Sequence, residues 1–167
     1  MTSLDFLLAT TLMYSTPLIF TALGGLLSEK TGIINIGLEG MMTFGAFCAS
    51  AAALATQNPW LGLLAGGCGG LALGLIHGWA CLKFQANQVI SGIAINFLGL
   101  GLAIFLCRIF FDGAGMTPPL DLDKKMPVVT GQYITVYLSF LFTFFIWYIF
   151  RCTVFGLRLI SIGEHPQ

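Results

Sequence analysis

Five stretches of this chain run for about 20 residues almost free of charged side chains, at positions 6–27, 36–55, 60–82, 89–111 and 133–150. A helix needs about that many apolar residues to cross the hydrocarbon core of a bilayer, so each is a candidate span. The separators are polar or helix-breaking: a charged turn at 28–35, Gln57-Asn58-Pro59, the segment 83–87, and a longer loop at 112–131. Only helices and closed barrels satisfy their own backbone in lipid, and these runs lack the alternation of barrel strands. The pattern therefore predicts an all-α fold, a polytopic transmembrane helical bundle of about five spans.

Within the third run, Gly62, Gly66, Gly70, Gly74 and Gly78 recur every four residues. Such spacing lines small residues along one helix face, where a neighbouring backbone can approach closely. Gly45, Ala49 and Ala53 repeat the device in the second run. These glycines are helix-packing candidates, and the same device suits a transporter, a channel or a membrane enzyme.

Composition agrees, with 57% hydrophobic and 8% charged residues against roughly 25% charged in a soluble domain. The net charge is zero and the basic residues are dispersed, which gives no nucleic-acid surface. Orientation follows the rule that Lys and Arg collect on the cytoplasmic side. With the C-terminal tail inside and the N-terminus outside, Lys30, Lys83, Arg151 and Arg158 lie inside and Lys124 and Lys125 outside, the more favourable count. Cys48, Cys68, Cys81, Cys107 and Cys152 form no C-x-x-C pair, so they read as small hydrophobes and not as a disulfide frame or metal site.

The 43 residues at 40–82 contain no Asp, Glu, Lys or Arg, which places Glu39 at or inside the membrane boundary. An ionisable group there is costly and marks a candidate functional site. Two readings stand: Glu39 is held by hydrogen bonds or by a base such as Lys30 beside a solute path, or it is an acid favouring the positive end of its own helix. Asn35 shares its face if the helix begins near Asn35. His77 reads most simply as a packed histidine. Gly24, Lys30 and Thr31 have the spacing of a phosphate-binding loop, but Glu29 stands where its second glycine belongs and would repel phosphate. Neither H-E-x-x-H nor G-x-S-x-G occurs, so no catalytic and no metal-ligating residues are assigned.

Two stretches resemble one family. Gly24-Gly25-Leu26-Leu27-Ser28-Glu29-Lys30-Thr31-Gly32-Ile33-Ile34-Asn35-Ile36-Gly37-Leu38-Glu39-Gly40-Met41-Met42 is similar to the signature of ABC-transporter permeases of the branched-chain amino acid and simple-sugar importer group, nucleoside and simple-sugar branch. Phe155-Gly156-Leu157-Arg158-Leu159-Ile160-Ser161-Ile162-Gly163-Glu164-His165-Pro166 looks like the cytoplasmic loop on which such permeases dock their ATPases. Ile160 departs from the pattern, which commonly has a second arginine there. The resemblance covers the N-terminal half of a type II-importer-like permease, so a truncated permease is expected.

It implies a subunit of the cell (inner) membrane working with a second permease subunit, cytoplasmic ABC ATPases and an extracytoplasmic substrate-binding lipoprotein. The permease holds no cofactor, and ATP is used by the partner subunits. Asn35, Glu39 and Asn96 become translocation-path candidates, and Arg158, Gly163, Glu164, His165 and Pro166 ATPase-coupling candidates within 151–167. Gly156 is read as permitting a sharp turn, and Gly163-Glu164-His165-Pro166 as a helix start, with Pro166 near the first turn and Glu164 at the positive dipole end. An ordinary interhelical loop is the other reading of this tail. The loop at 112–131 serves either as a partner surface or as a solvated connector. The competing function class, an ion-coupled secondary transporter or channel component, needs charges along a pathway, and beyond Glu39 and Arg108 the spans offer none.

Overall fold

The short polar breaks between apolar runs do more than interrupt helices; they cap them. Gln57 adopts a left-handed conformation at φ 55° and closes the helix before it, while the Asn58 side chain accepts the Trp60 N–H and Pro59 occupies the first helical turn of the next. Pro costs nothing there because that N–H has no intrahelical partner. Asn87 likewise accepts from the N–H groups of Val89 and Ile90.

In this computed structural model, which describes residues 3–111, 116–121 and 125–164, the elements are α1 (Ser3–Lys30), α2 (Leu38–Thr56), α3 (Pro59–Lys83), α4 (Gln88–Phe110), β1 (Val128–Val129), β2 (Gln132–Tyr133), α5 (Ile134–Cys152) and α6 (Val154–Glu164). The first five helices in order, α1 to α5, are long and apolar enough to cross a membrane. They match the five expected runs with shifted ends. The α1 helix absorbs Ser28, Glu29 and Lys30, whose charges sit at its end where Lys30 suits the negative dipole pole.

The chain divides into two packed units, Ile34–Lys125 and Met1–Ile33 with Met126–Gln167. In the first, α2 packs on α3 and α4, and α3 on α4. Phe47, Ala103 and Cys107 form its buried cluster, covered by Phe44, Cys48, Leu106 and Phe111. At the start of α3, a Cβ built on Gly62 would lie 2.7 Å from Ala53 Cβ, and one on Gly66 2.9 Å from Ala49 Cβ. Further along, Gly70 and Gly74 leave ordinary contact distances to Met41 of 3.6 and 3.8 Å, and Gly78 faces open space. Gly69, outside the four-residue series, is tighter than these three, at 2.7 Å from Cys48 Sγ. His77 is buried between α3 and α4, with Nδ1 3.0 Å from Ser91 Oγ, which is the packed histidine the sequence predicts.

In the second unit, α1 packs on α5 and α6, with Phe20 and Phe142 meeting edge to face at 5.7 Å. Hydroxyls along the spans fold back on their own helices: Thr10, Thr16 and Thr21 donate to the carbonyls of Phe6, Leu12 and Pro17. This satisfies a polar group that lipid cannot. The chain before α5 was expected as plain loop, yet Val128–Val129 and Gln132–Tyr133 pair antiparallel through Thr130-Gly131, both at positive φ. Such a two-residue turn matches strand twist, and Tyr137 of α5 holds it by bonding Thr130 Oγ1 and the Val129 carbonyl.

The tail departs most from expectation. Thr153 takes an extended conformation at φ −121°, ends α5, and accepts the Gly156 N–H on its hydroxyl. This cap starts α6 at Val154, so Gly156 lies in its first turn and the reversal occurs at Thr153. Gly163 and Glu164 therefore lie within α6, well past its start, and do not open a helix; His165 and Pro166 lie outside the described residues. Both glycines of α6, buried Gly156 and half-buried Gly163, lie against backbone. A Cβ on Gly156 would overlap the Ile149 carbonyl oxygen, and one on Gly163 the Lys30 carbonyl oxygen, with Gly32 N at 3.1 Å.

Candidate functional site

The first N–H groups of α2 have no partner within their own helix and must be met from outside it. Gly37 at the N-cap has no side chain to do it. One of these donors is met by Asn96 from α4, whose Oδ1 accepts the Gly40 N–H at 2.8 Å while its Nδ2 donates to the Ile36 carbonyl at 3.0 Å. One amide thus clamps both sides of the turn. Gln88, at the start of α4, adds a bond from Ile34 N–H to its Oε1 at 2.7 Å.

This clamp requires a close approach of α2 and α4, and glycines provide it on both. A Cβ on Gly99 would overlap the Gly40 carbonyl oxygen, one on Gly40 would lie 2.5 Å from the Ile95 carbonyl oxygen, and one on Gly92 3.0 Å from Gly37 N. Periodicity alone passes over this crossing, because Gly37 and Gly40 stand in what reads as a turn signature. The separation of Gly92 and Gly99 by seven residues was the available signal.

Asn35 and Glu39 do not share a helix face. The Asn35 side chain accepts the Gly37 N–H at 3.0 Å, a local bond that competes with helix and holds Asn35 outside α2. Glu39 sits in the first turn of α2, in the favourable field of the helix N-terminus. Together with Asn96 it lines a cavity of about 310 Å³, completed by Gly40, Thr43, Ile93, Phe97 and Leu100. A second cavity of about 440 Å³ begins at the same Thr43 and Leu100 and runs past Ser50 and Ile104 to Thr117. Among the described residues no cluster of three His, Cys, Asp or Glu side chains could hold a metal ion. Arg158 and Glu164 are exposed on α6, and Gly163 is half-buried against Lys30 and Gly32.

Apolar spans, glycine-mediated helix crossings and a carboxylate lining a cavity between two of those spans define a polytopic membrane protein. The chain belongs to the family of branched-chain amino acid transport system permease components, whose pattern it matches over residues 7–167. It is 39% identical to the guanosine ABC transporter permease protein NupQ of Bacillus subtilis, with 98% of this chain and 57% of that protein aligned. It is 34% identical to the nucleoside ABC transporter permease protein NupC of Lactococcus lactis, over 99% of this chain and 58% of the relative. A putative glucose ABC transporter permease protein of Haloferax volcanii is 32% identical, over 96% and 52%. The chain thus spans a little over half the length of these relatives. No solved structure matches it significantly.

Proposed function

We propose that this chain supplies the first half of the membrane-spanning subunit of an ATP-driven importer, and that its solute is a nucleoside or simple sugar. The observation that carries this reading is Glu39 beside Asn96 and Thr43 in one cavity, bordering a charge-free stretch where an ionisable group has a cost and hence a use. The names of the similar nucleoside and glucose permeases support the solute class. The chain itself performs no chemistry and holds no cofactor; cytoplasmic ATPases hydrolyse ATP, a second permease subunit completes the path, and an extracytoplasmic lipoprotein delivers the solute. It resides in the cell membrane with its N-terminus outside and α6 in the cytoplasm, where Arg158, Gly163, Glu164, His165 and Pro166 meet the ATPase.

The test is uptake of labelled guanosine and glucose by cells that express the complete permease carrying this sequence, with its partner subunits. Glu39→Gln is expected to lower uptake at least tenfold with an unchanged amount of protein in the membrane. Uptake equal to the unsubstituted protein removes the carboxylate from the mechanism.

A further inference from the structure

The two cavities of the α2–α4 unit adjoin at Thr43 and Leu100, and together they line a groove from Glu39 at the start of α2 to Thr117 beyond α4. Its α2 wall carries three polar side chains: Glu39, Thr43 one turn on, and Ser50 two turns further, about 16 Å along the axis at 1.5 Å per residue. Its α4 wall is mainly apolar, presenting Ile93, Phe97, Leu100 and Ile104.

The hydrogen-bonding state of those groups sets what the groove accepts. Thr43 Oγ1 donates its proton to the Glu39 carbonyl at 2.8 Å, and Ser50 Oγ donates to the Ala46 carbonyl at 2.9 Å. With their protons committed to the helix, both hydroxyls face the groove as acceptors. An ionised Glu39 carboxylate is also an acceptor only, and its two oxygens can take both protons of a vicinal diol. Asn96, on the α4 wall, has its oxygen engaged with Gly40 and one of its two NH2 protons with Ile36, so it contributes at most a single donor opposite these three acceptors.

We infer that Glu39, Thr43 and Ser50 form an acceptor-only ladder that passes neutral, hydroxyl-rich solutes and rejects anions. A ribose or hexose edge donates successively to the three rungs while an apolar face, such as a nucleobase, slides on Phe97 and Leu100. A phosphate or carboxylate has no donor to give and meets the negative charge of Glu39. Thr43 and Ser50 are thereby specificity-determining residues. This rests on the transport reading above.

The experiment uses the complete permease with its partners. Thr43→Val and Ser50→Ala remove acceptors with little change of volume, and each is expected to raise the KM for guanosine about fivefold, the equivalent of one neutral hydrogen bond. Guanosine monophosphate is expected to leave uptake by the unsubstituted protein unaffected and to compete once Glu39→Gln removes the charge. Independently, Thr43→Cys and Ser50→Cys on a cysteine-free background are expected to react with a membrane-impermeant thiosulfonate, and guanosine to slow that reaction. Unchanged KM in both hydroxyl variants, or cysteines inert to the aqueous reagent, overturns the ladder while leaving transport intact. Absence of any uptake by the unsubstituted complex overturns the transport reading and the ladder with it.

Discussion

Asn96 satisfies two backbone groups on a helix it does not belong to, one on each side of the turn into α2. Asn96→Leu keeps the volume close and leaves the Gly40 N–H and the Ile36 carbonyl without their side-chain partner, at a cost of about 1–3 kcal/mol. That loss is read from the shift in SDS-induced unfolding of the purified protein. Gly99→Ala is expected to be more damaging than its single carbon implies, because the new Cβ falls on the Gly40 carbonyl, which is backbone and has no rotamer to yield. Gly101→Ala, two residues on and facing open space, serves as its control and is expected to be neutral or slightly stabilising. Of these residues the resemblance marked Asn96 as a translocation-path candidate, but not that its amide is spent on α2. That assignment depends on two helix axes crossing within glycine contact, which no local pattern encodes.

Among elements, α3 presents a graded surface. Its glycine series was legible as a four-residue repeat, but the repeat does not say where the neighbouring helix leaves it. Contact is tight at Gly62 and Gly66, ordinary at Gly70 and Gly74, and gone at Gly78, while neighbouring His77 meets Ser91 of α4. Gly66→Leu should therefore abolish the folded, monodisperse species in detergent chromatography, whereas Gly78→Leu should elute unchanged. Equal behaviour of the two variants would sink this graded packing. The long helices were readable because lipid demands lengths of apolar residues that hardly arise otherwise. The hairpin at 128–133 and α6 were not, since two-residue strands carry little alternation and the start of α6 rests on one hydroxyl, that of Thr153.

For the whole molecule, the expected topology separates the segment after α4 from the helix after α5 by one span. Thr117→Cys and Ser161→Cys on a cysteine-free background should accordingly label from opposite sides of the membrane, Thr117→Cys in intact cells and Ser161→Cys only after permeabilisation. Labelling of both from one side would refute the orientation drawn from Lys and Arg counts. The charge pattern was readable because the few basic residues mostly flank the spans. The cavity lining was only partly readable: Glu39 stood out as a lone acid, but Thr43 and Ser50 look like the other hydroxyls scattered through these helices until the two cavities group them.

The contact of Gly163 with Lys30 and Gly32 has a mechanical consequence. Side chains at an interface act as springs, since torsion about χ1 and χ2 absorbs small movements. Here main chain rests on main chain, and Gly32 is already held at φ +82°, a conformation that leaves a side-chain-bearing residue strained. A displacement of α6 at Gly163 thus meets the Lys30 backbone directly, with no side chain between them to take it up.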